Sequence, residues 1–285
     1  MKMEFLDVTY SLRIGLVAAA LIFLHHNARA QITPVNYGAA SSFSILSGAG
    51  ITFAATGPST ITGNIGSYPT LSITGVPANV IFTTGPSQNH GGDALTQSGK
   101  ADLSTAFSVA AGETVTTVLS GSDNQLGGKI LFPGVYRLPA AATANLIGTL
   151  TLDAHGVANP VWIFEATSTL VTASNSSVVL GSGVVPCDVL WVVDSSATLG
   201  TGTDFAGTIM ASASITLNTN VTLDGRAWAL TGAVTLDEDT VTGLPCTSIG
   251  NDPVVSVPDG AGTLLLLASG LAALLGFGRR FRALV

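Results

Sequence analysis

Carboxylates are the residues of this chain that could most directly do catalytic chemistry, because a pair of them can supply the acid and base of glycoside cleavage. Six are spread through the second half of the sequence: Asp153, Glu165, Asp194, Asp204, Asp224 and Asp237. Most stand in contexts such as Leu-Asp-Gly, where an Asp side chain typically caps a turn. Enzymes that cleave acidic polysaccharides also need Lys or Arg, and residues 31–256 contain four basic residues. A carbohydrate-active enzyme is therefore the least supported of three functional interpretations of this sequence.

Other catalytic and ligand sets lack essential parts. His90 and His155 are far apart in the sequence, so neither a histidine metal site nor a Ser-His-Asp triad is complete. The glycines around Gly200-Thr201-Gly202 do not lead into a helical pattern, which argues against a nucleotide-binding loop. We predict no enzymatic activity, no metal and no cofactor.

Small hydroxyl and amide side chains form a more regular pattern two residues beyond three leucines. The segments are Thr172-Ala173-Ser174-Asn175, Thr201-Gly202-Thr203-Asp204 and Thr219-Asn220-Val221-Thr222. We predict a binding surface made of Thr172, Asn175, Thr201, Thr203, Asp204, Thr219 and Thr222. Thr and Asn are also common corner residues, so a purely structural role remains the alternative for each segment.

An uncharged array of this kind is suited to ordering water. If the segments stack, their side chains repeat at the roughly 4.7–4.9 Å separation of neighbouring strands. Hydroxyls anchor water through hydrogen bonds, while the threonine methyl groups hold it in a cage. The predicted partner is therefore ordered water or ice.

The elements that must position these residues follow from a repeat. Five leucines align at intervals of 18, 29, 18 and 19 residues: Leu152, Leu170, Leu199, Leu217 and Leu236. An interval of 18 or 19 residues fits one coil of a three-sided β-solenoid in which each coil contributes one inward leucine. The segment from about residue 93 to 119 has helical apolar spacing, with Asp102 or Ser98 as N-cap. Residues 36–75 repeat the strand chemistry in another register and are expected to add coils at one end.

The two ends of the sequence differ from the middle. Residues 1–30 contain an apolar run followed by Ala28-Arg29-Ala30, which predicts a cleaved signal peptide; a short buried helix is the alternative. Residues 251–285 contain Val257, Pro258, Asp259 and Gly260, an apolar segment and terminal arginines. This order resembles a PEP-CTERM sorting tail of the Val-Pro-Asp type, which implies a membrane and a sortase-like enzyme as partners. An ordinary C-terminal membrane anchor is the alternative.

Charge and cysteine content narrow the functional class of residues 31–250. Four basic residues stand against fourteen acidic ones in residues 31–256, so phosphate neutralisation and nucleic-acid binding are improbable. Cys187 and Cys246 are the only cysteines, and an exported chain makes a disulfide between them plausible. Such a bond would contribute roughly 4 kcal/mol on the chain-entropy model.

Several segments together resemble the microbial ice-binding protein family. They are Ser42–Gly48, Ser59–Gly66, Leu131–Tyr136, Gly148–Asp153, Ser195–Gly200 and Gly232–Asp237. The resemblance covers residues 36–245. It implies a right-handed, three-sided, discontinuous β-solenoid, dominated by β-structure, with one long α-helix packed alongside and one flat face that binds ice without a cofactor. Some members carry Thr-(Ala/Gly)-x-(Thr/Asn) on that face. Residues 172–175 match this motif fully, whereas residues 201–204 depart at the last position and residues 219–222 at the second.

These observations predict a secreted or cell-surface bacterial protein that adsorbs to ice and inhibits its growth or recrystallisation. The alternative is a structural or adhesive protein of the extracellular matrix, associated with exopolysaccharide. We expect three segments: a signal peptide over 1–30, a solenoid domain over 31–250, and a linker and sorting tail over 251–285.

Overall fold

The computed structural model describes residues 32–54, 56–83, 88–119, 124–138, 143–243, 246 and 248–249 of the 285-residue chain. The predicted signal peptide and sorting motif lie outside these residues. Within them the chain winds into coils of triangular outline, with strands numbered here in chain order. Each coil passes from a face covered by a helix to a face rich in threonine, then to a third face and back, which confirms the predicted β-solenoid.

The threonine face is a parallel sheet of seven short strands. In spatial order they are β11 (Ala144–Leu146), β14 (Leu170–Thr172), β17 (Ala197–Leu199), β19 (Ile215–Leu217), β21 (Val234–Leu236), β3 (Ile51–Phe53) and β6 (Ile73–Thr74). In the three-residue strands the first and last side chains are buried and the middle one points outward. This is the alternation expected of a strand with one face against a core.

The third face, which we call the mixed face, is also parallel. Its strands are β9 (Ile130–Leu131), β12 (Thr149–Leu152), β15 (Ser177–Leu180), the first halves of β18 (Asp204–Ala211) and β20 (Thr222–Ala229), β22 (Thr240–Thr242), β4 (Ser59–Thr62) and β7 (Val80–Phe82). The strands β18 and β20 are long enough to bend around a corner, and their second halves belong to the next face.

The helix face completes the triangle. It comprises β8 (Thr117–Val118), β10 (Gly134–Arg137), β13 (Trp162–Ala166), β16 (Val189–Val193), the second halves of β18 and β20, β2 (Phe43–Ser47) and β5 (Asn64–Ser67). Both sides of its strands β13 and β16 are buried, whereas β8 at its edge is exposed. Tyr136, Phe164 and Trp191 stack inside the solenoid with ring centroids 5.4 and 4.1 Å apart, while Ile163 and Leu190 face outward beneath the helix.

The helix α1 (Ala94–Ala111) covers this face with small residues. Thr96, Gly99, Leu103, Ala106 and Ala110 are buried at the spacing of one helical stripe. The helix begins at Asp93, whose carboxylate accepts a hydrogen bond from the Thr96 amide at 2.9 Å, so neither predicted N-cap is the actual one. Gly112 ends it, because the β-branched run that follows enters the sheet as β8.

The chain order is discontinuous, as the resemblance implied. Strands β2, β3 and β4 near the N-terminus pair with β20, β21 and β22 near the C-terminus. The helix then separates these N-terminal coils in sequence from the coils that begin at β8. The N-terminal segments therefore form one end of the solenoid, as expected. The expectation of another register is wrong for the threonine face, because β3 pairs with β21 with Thr52 opposite Thr235 and Phe53 opposite Leu236.

The predicted leucine ladder is only partly correct. Leu199 pairs with Leu217, but Leu170 pairs with Ala197 and Leu152 pairs with Leu180 on the mixed face. The longer connection between β14 and β17, which produces the 29-residue interval, moves the partner of Leu170 from Leu199 to Ala197, a shift of two residues. Because the side-chain period of a strand is two, a shift of two residues keeps inward positions inward, and Thr172 occupies the inward position opposite Leu199.

A small two-stranded antiparallel sheet lies outside the three faces; we call it the hairpin, although its strands come from opposite ends of the domain. The strands β1 (Val35–Asn36) and β23 (Ser248–Ile249) pair in an antiparallel manner, and Cys187 and Cys246 form the predicted disulfide. Cys187 belongs to a short 3-10 turn, Pro186–Asp188. Among the described residues, no helix has the length and apolar character that crossing a membrane requires.

Candidate functional site

The most regular surface of the molecule is a column of outward side chains along the centre of the threonine face. Neighbouring strands pair through their middle residues, in the order Asn145, Val171, Thr198, Thr216, Thr235, Thr52 and Thr74. Five consecutive threonines therefore stand side by side. The Thr74 hydroxyl donates to the Thr52 hydroxyl at 3.3 Å.

A second column of small residues runs parallel to the first, two positions earlier in each coil. Its members are Thr143, Thr169, Ser196, Ser214, Ala233, Gly50 and Ser72. Backbone hydrogen bonds of 2.7–3.1 Å join each coil to the next at these carbonyl groups. The Thr169 hydroxyl donates to Thr143 at 3.0 Å, and the Ser196 hydroxyl accepts from the Ser214 amide at 3.3 Å.

Local sequence explains why these side chains project outward. Each central threonine stands between two apolar residues, as in Ala-Thr-Leu, Ile-Thr-Leu and Val-Thr-Leu. The apolar neighbours are buried, so the alternation of a strand directs the threonine to the surface. A β-branched residue also fits the crowded surface of a parallel sheet. Neither column contains a charged residue.

Thr172 and Thr203, two of the predicted binding residues, are buried and cannot present their hydroxyls to surface water. Their hydroxyl oxygens lie 2.8 Å apart, and Thr172 also accepts from the Gly200 amide at 2.8 Å. The two-residue shift of the coil alignment is the reason. Thr172 occupies the position of Leu199 in the next coil, which is an inward position, and the pair serves to tie two corners together.

Asn175, Thr201 and Thr219 lie along the corner between the threonine face and the mixed face. Asn175 has a φ of 57° and is exposed, and its backbone amide donates to the Thr201 carbonyl at 2.9 Å. The Thr219 hydroxyl donates to Asp237 at 2.5 Å. This hydrogen bond and a second one from Thr56 hold the pKa of Asp237 below its ordinary value. These residues form a polar border that carries charge.

Asp204 and Thr222 begin strands of the mixed face and are exposed there. Their column contains Thr149, Ser177, Asp204, Thr222, Thr240, Thr60 and Ile81. Beside it lie exposed Val179 and half-buried Asp224, whose pKa burial raises. The predicted residues are thus divided among the core, a corner and the mixed face, and the structure does not bring them together on one surface.

The central threonines of the threonine face were missed by the sequence analysis, although a signal for them existed. The motifs that aligned the coils contain them directly before the leucine, at Thr198, Thr216 and Thr235. The prediction instead took the polar residues two positions after each leucine. Asking which threonine lies between two apolar residues would have selected the outward positions.

Four of the six catalytic candidates lie on separate parts of the coil, whereas Asp204 and Asp224 both lie on the mixed face in neighbouring strands. Asp153, Asp194 and Asp237 lie at three different corners of the coil, and Glu165 is on the helix face, where Arg137 Nη2 lies 2.6 Å from its Oε2 atom. Burial raises the pKa of Glu165, although the Arg137 guanidinium opposes this effect. Within the described ranges, no cluster of three or more His, Cys, Asp or Glu side chains could hold a metal ion.

Residues 45–242 match the family described as ice-binding-like. This chain belongs to the ice-binding-like family. A curated relative from Nostoc sp. (strain HG1), called an ice-binding protein, is 39% identical over 277 residues, which cover 95% of this chain and 97% of the relative. An ice-binding protein of Flavobacterium frigoris (strain PS1) is 32% identical and covers 73% of this chain and 76% of its own length.

Solved structures of the ice-binding-like family have the same fold. The crystal structure of an ice-binding protein from the Antarctic ascomycete Antarctomyces psychrotrophicus superimposes with a TM-score of 0.67 at 38% identity, covering 74% of this chain and 99% of its own. An ice-binding protein from an Antarctic biological consortium gives a TM-score of 0.68 at 35% identity, over 75% of this chain and 93% of its own.

Proposed function

We propose that this protein adsorbs to ice through the threonine face and inhibits the growth or recrystallisation of ice. Membership of the ice-binding-like family and relatives that are called ice-binding proteins support the activity. The geometry of the threonine face supports its location. The proposed role is non-catalytic.

The observation that carries this proposal is the pair of uncharged columns on one sheet. Among the three faces, the helix face is covered, and the mixed face presents Asp204 and Asp224 together with exposed Ile81 and Val179. The mixed face also carries a column of hydroxyl residues in register, but Asp204 and Ile81 interrupt it, whereas both columns of the threonine face are free of charge along all seven strands.

The chemistry of adsorption follows from these groups. Five central threonines offer hydroxyls that can anchor water by hydrogen bonds, and their methyl groups limit the directions in which that water can bond elsewhere. Because the backbone ladder sets the spacing between coils, the anchored waters repeat at the strand separation of roughly 4.7–4.9 Å. An ordered water layer of this kind can merge with the surface of a crystal.

Thr216→Tyr tests the site, because it places a bulky ring in the centre of the threonine face without changing a buried residue. We expect loss of partition of the protein into growing ice and loss of recrystallisation inhibition. The matched control is Thr240→Tyr, which places the same ring on the exposed mixed face and should leave both activities intact. Retention in Thr216→Tyr with loss in Thr240→Tyr would move the site to the mixed face, and equal loss in the two variants would contradict a site confined to the threonine face.

We also propose that the domain acts outside the cytoplasm, either secreted or at the cell surface. The signal-peptide pattern of residues 1–30 and the disulfide between Cys187 and Cys246 support this location. If the protein fails to enter growing ice but co-sediments with purified exopolysaccharide, the matrix role gains support over ice adsorption.

A further inference from the structure

The first and last strands of the described domain lie side by side. The first strand, β1, and the last, β23, are paired, with Val35 opposite Ile249. Both side chains are buried and pack with the outward apolar residues of the helix face. The Thr33 amide, just before β1, donates to the carboxylate of Glu113 at 3.1 Å. The N-terminal strand is therefore held beside the end of α1.

The hairpin lies on one particular ridge of the triangle. The disulfide joins Cys246, beside β23, to Cys187 with Cα atoms 5.7 Å apart. Cys187 belongs to the turn Pro186–Asp188 that leads from β15 on the mixed face to β16 on the helix face. This ridge between the mixed and helix faces, which we call the hairpin ridge, includes residues 181–188 with β1 and β23.

A triangular cross-section fixes the relation of this ridge to the third side. Each coil visits the helix, threonine and mixed faces in turn, so the ridge shared by the helix and mixed faces lies opposite the threonine face. The two corners that border the threonine face are formed by other segments, residues 167–169 and 173–176 in the coil that contains β14.

We infer that the hairpin ridge is the attachment side of this domain. With the chain joined to the cell envelope on the C-terminal side of β23, this ridge faces the envelope and the threonine face points away from it. The domain then binds ice as an anchored module and joins the envelope to the crystal. This inference rests on the proposed adsorption of ice by the threonine face.

The experiment compares beads that carry the full-length chain in different orientations. In the first arm the chain is biotinylated at its C-terminus and held on streptavidin beads. In the second, Ser182→Cys, an exposed position on the hairpin ridge, couples the chain to maleimide beads. The matched control is Thr52→Cys, an exposed position in the central column of the threonine face, coupled to the same beads at equal density. Capture of the beads by a growing ice front is measured.

We expect beads of the first two arms to be captured and beads coupled through Thr52→Cys to be rejected. The free Cys variants should unfold at the same temperature as the unmodified chain, which excludes misfolding as the cause. If the free chain enters ice but neither the C-terminal nor the Ser182→Cys beads are captured, the attachment side is wrong and the proposed function stands. Equal capture through Thr52→Cys would show that the threonine face is not the adsorbing surface, so the proposed site and the inference would fail together while ice binding itself would stand. If the free chain itself does not enter ice, the proposed function fails and the inference fails with it.

Discussion

Thr172 and Thr198 lie in neighbouring strands of one sheet, yet only Thr198 contributes to the surface. Thr198 stands between the buried residues Ala197 and Leu199, whereas Thr172 occupies a buried end position and bonds to Thr203. The two threonines have the same chemistry and differ in parity relative to their apolar neighbours. Residue type alone therefore does not identify the groups that meet water.

Asp239 is a residue whose ionisation has a consequence for stability. Its carboxylate is fully buried at the corner after β21. It accepts from the Val221 amide at 2.8 Å and from the Asp237 amide at 2.7 Å. Burial outweighs these two hydrogen bonds and raises its pKa to about 7.

The raised pKa of Asp239 predicts a pH-dependent contribution to the free energy of unfolding. A raised folded-state pKa means that this contribution is fully present below the ordinary value of 3.8 and is lost as the pH rises to about 7. Thermal unfolding between pH 4 and 8 should show the advantage of the unmodified chain over Asp239→Asn decreasing across this interval and then levelling. A constant difference would contradict the assignment.

The long strands β18 and β20 each bend at one glycine. β18 and β20 turn from the mixed face onto the helix face at Gly207 and Gly225, which pair with each other. Gly225 has a φ of 153°, and a Cβ there would lie 2.0 Å from the carbonyl oxygen of Gly207. The two backbones can approach at this corner only because neither residue has a side chain.

Gly225→Ala should therefore lower the free energy of unfolding by about 1–3 kcal/mol, as expected for overpacking at a site that cannot relax. Gly112→Ala is the matched control, since Gly112 has a φ of −92° and its closest contact with an added Cβ would be 3.3 Å. Chemical denaturation of both variants measures the difference. A Gly225→Ala protein as stable as the control would show that the corner can adjust.

At the scale of the whole molecule, the N-terminal and C-terminal parts of the chain pack together in one solenoid. The N-terminal coils stack on the last C-terminal coil, and the hairpin of β1 and β23 joins the two ends of the domain. The disulfide secures this hairpin across a sequence separation of 59 residues. It lies on the ridge opposite the threonine face, so the cross-link and the proposed site of ice adsorption are in separate parts of the structure.

The double variant Cys187→Ser and Cys246→Ser tests this separation. Loss of the cross-link should reduce the free energy of unfolding by roughly 4 kcal/mol on the chain-entropy model. Below the lowered melting temperature, partition into growing ice should be unchanged, because neither cysteine is near the threonine face. Thermal unfolding and ice partition are measured on the same sample. Loss of partition in a folded variant would link the two regions.

The sequence by itself determined the fold class, the amphipathic segment beside the strands, the disulfide partners and the low charge. The fold class and the helix depend on alternation and helical spacing, which are readable within one segment. The disulfide partners and the low charge follow from composition, because the chain has only two cysteines and few charged residues. The end of the helix was set too late, because Val115, Val118 and Leu119 continue the apolar spacing beyond Gly112.

Only the tertiary structure decided which threonines share a surface. Alternation fixes which side chains of one strand point the same way, but it does not fix how coils of unequal length align. The 29-residue interval allowed Leu170 to be matched with Leu199, whereas the backbone ladder pairs it with Ala197. The stacking of β3 on β21 likewise joins residues far apart in the chain. Five threonines form one column because hydrogen bonds between coils, and not their sequence spacing, set the register.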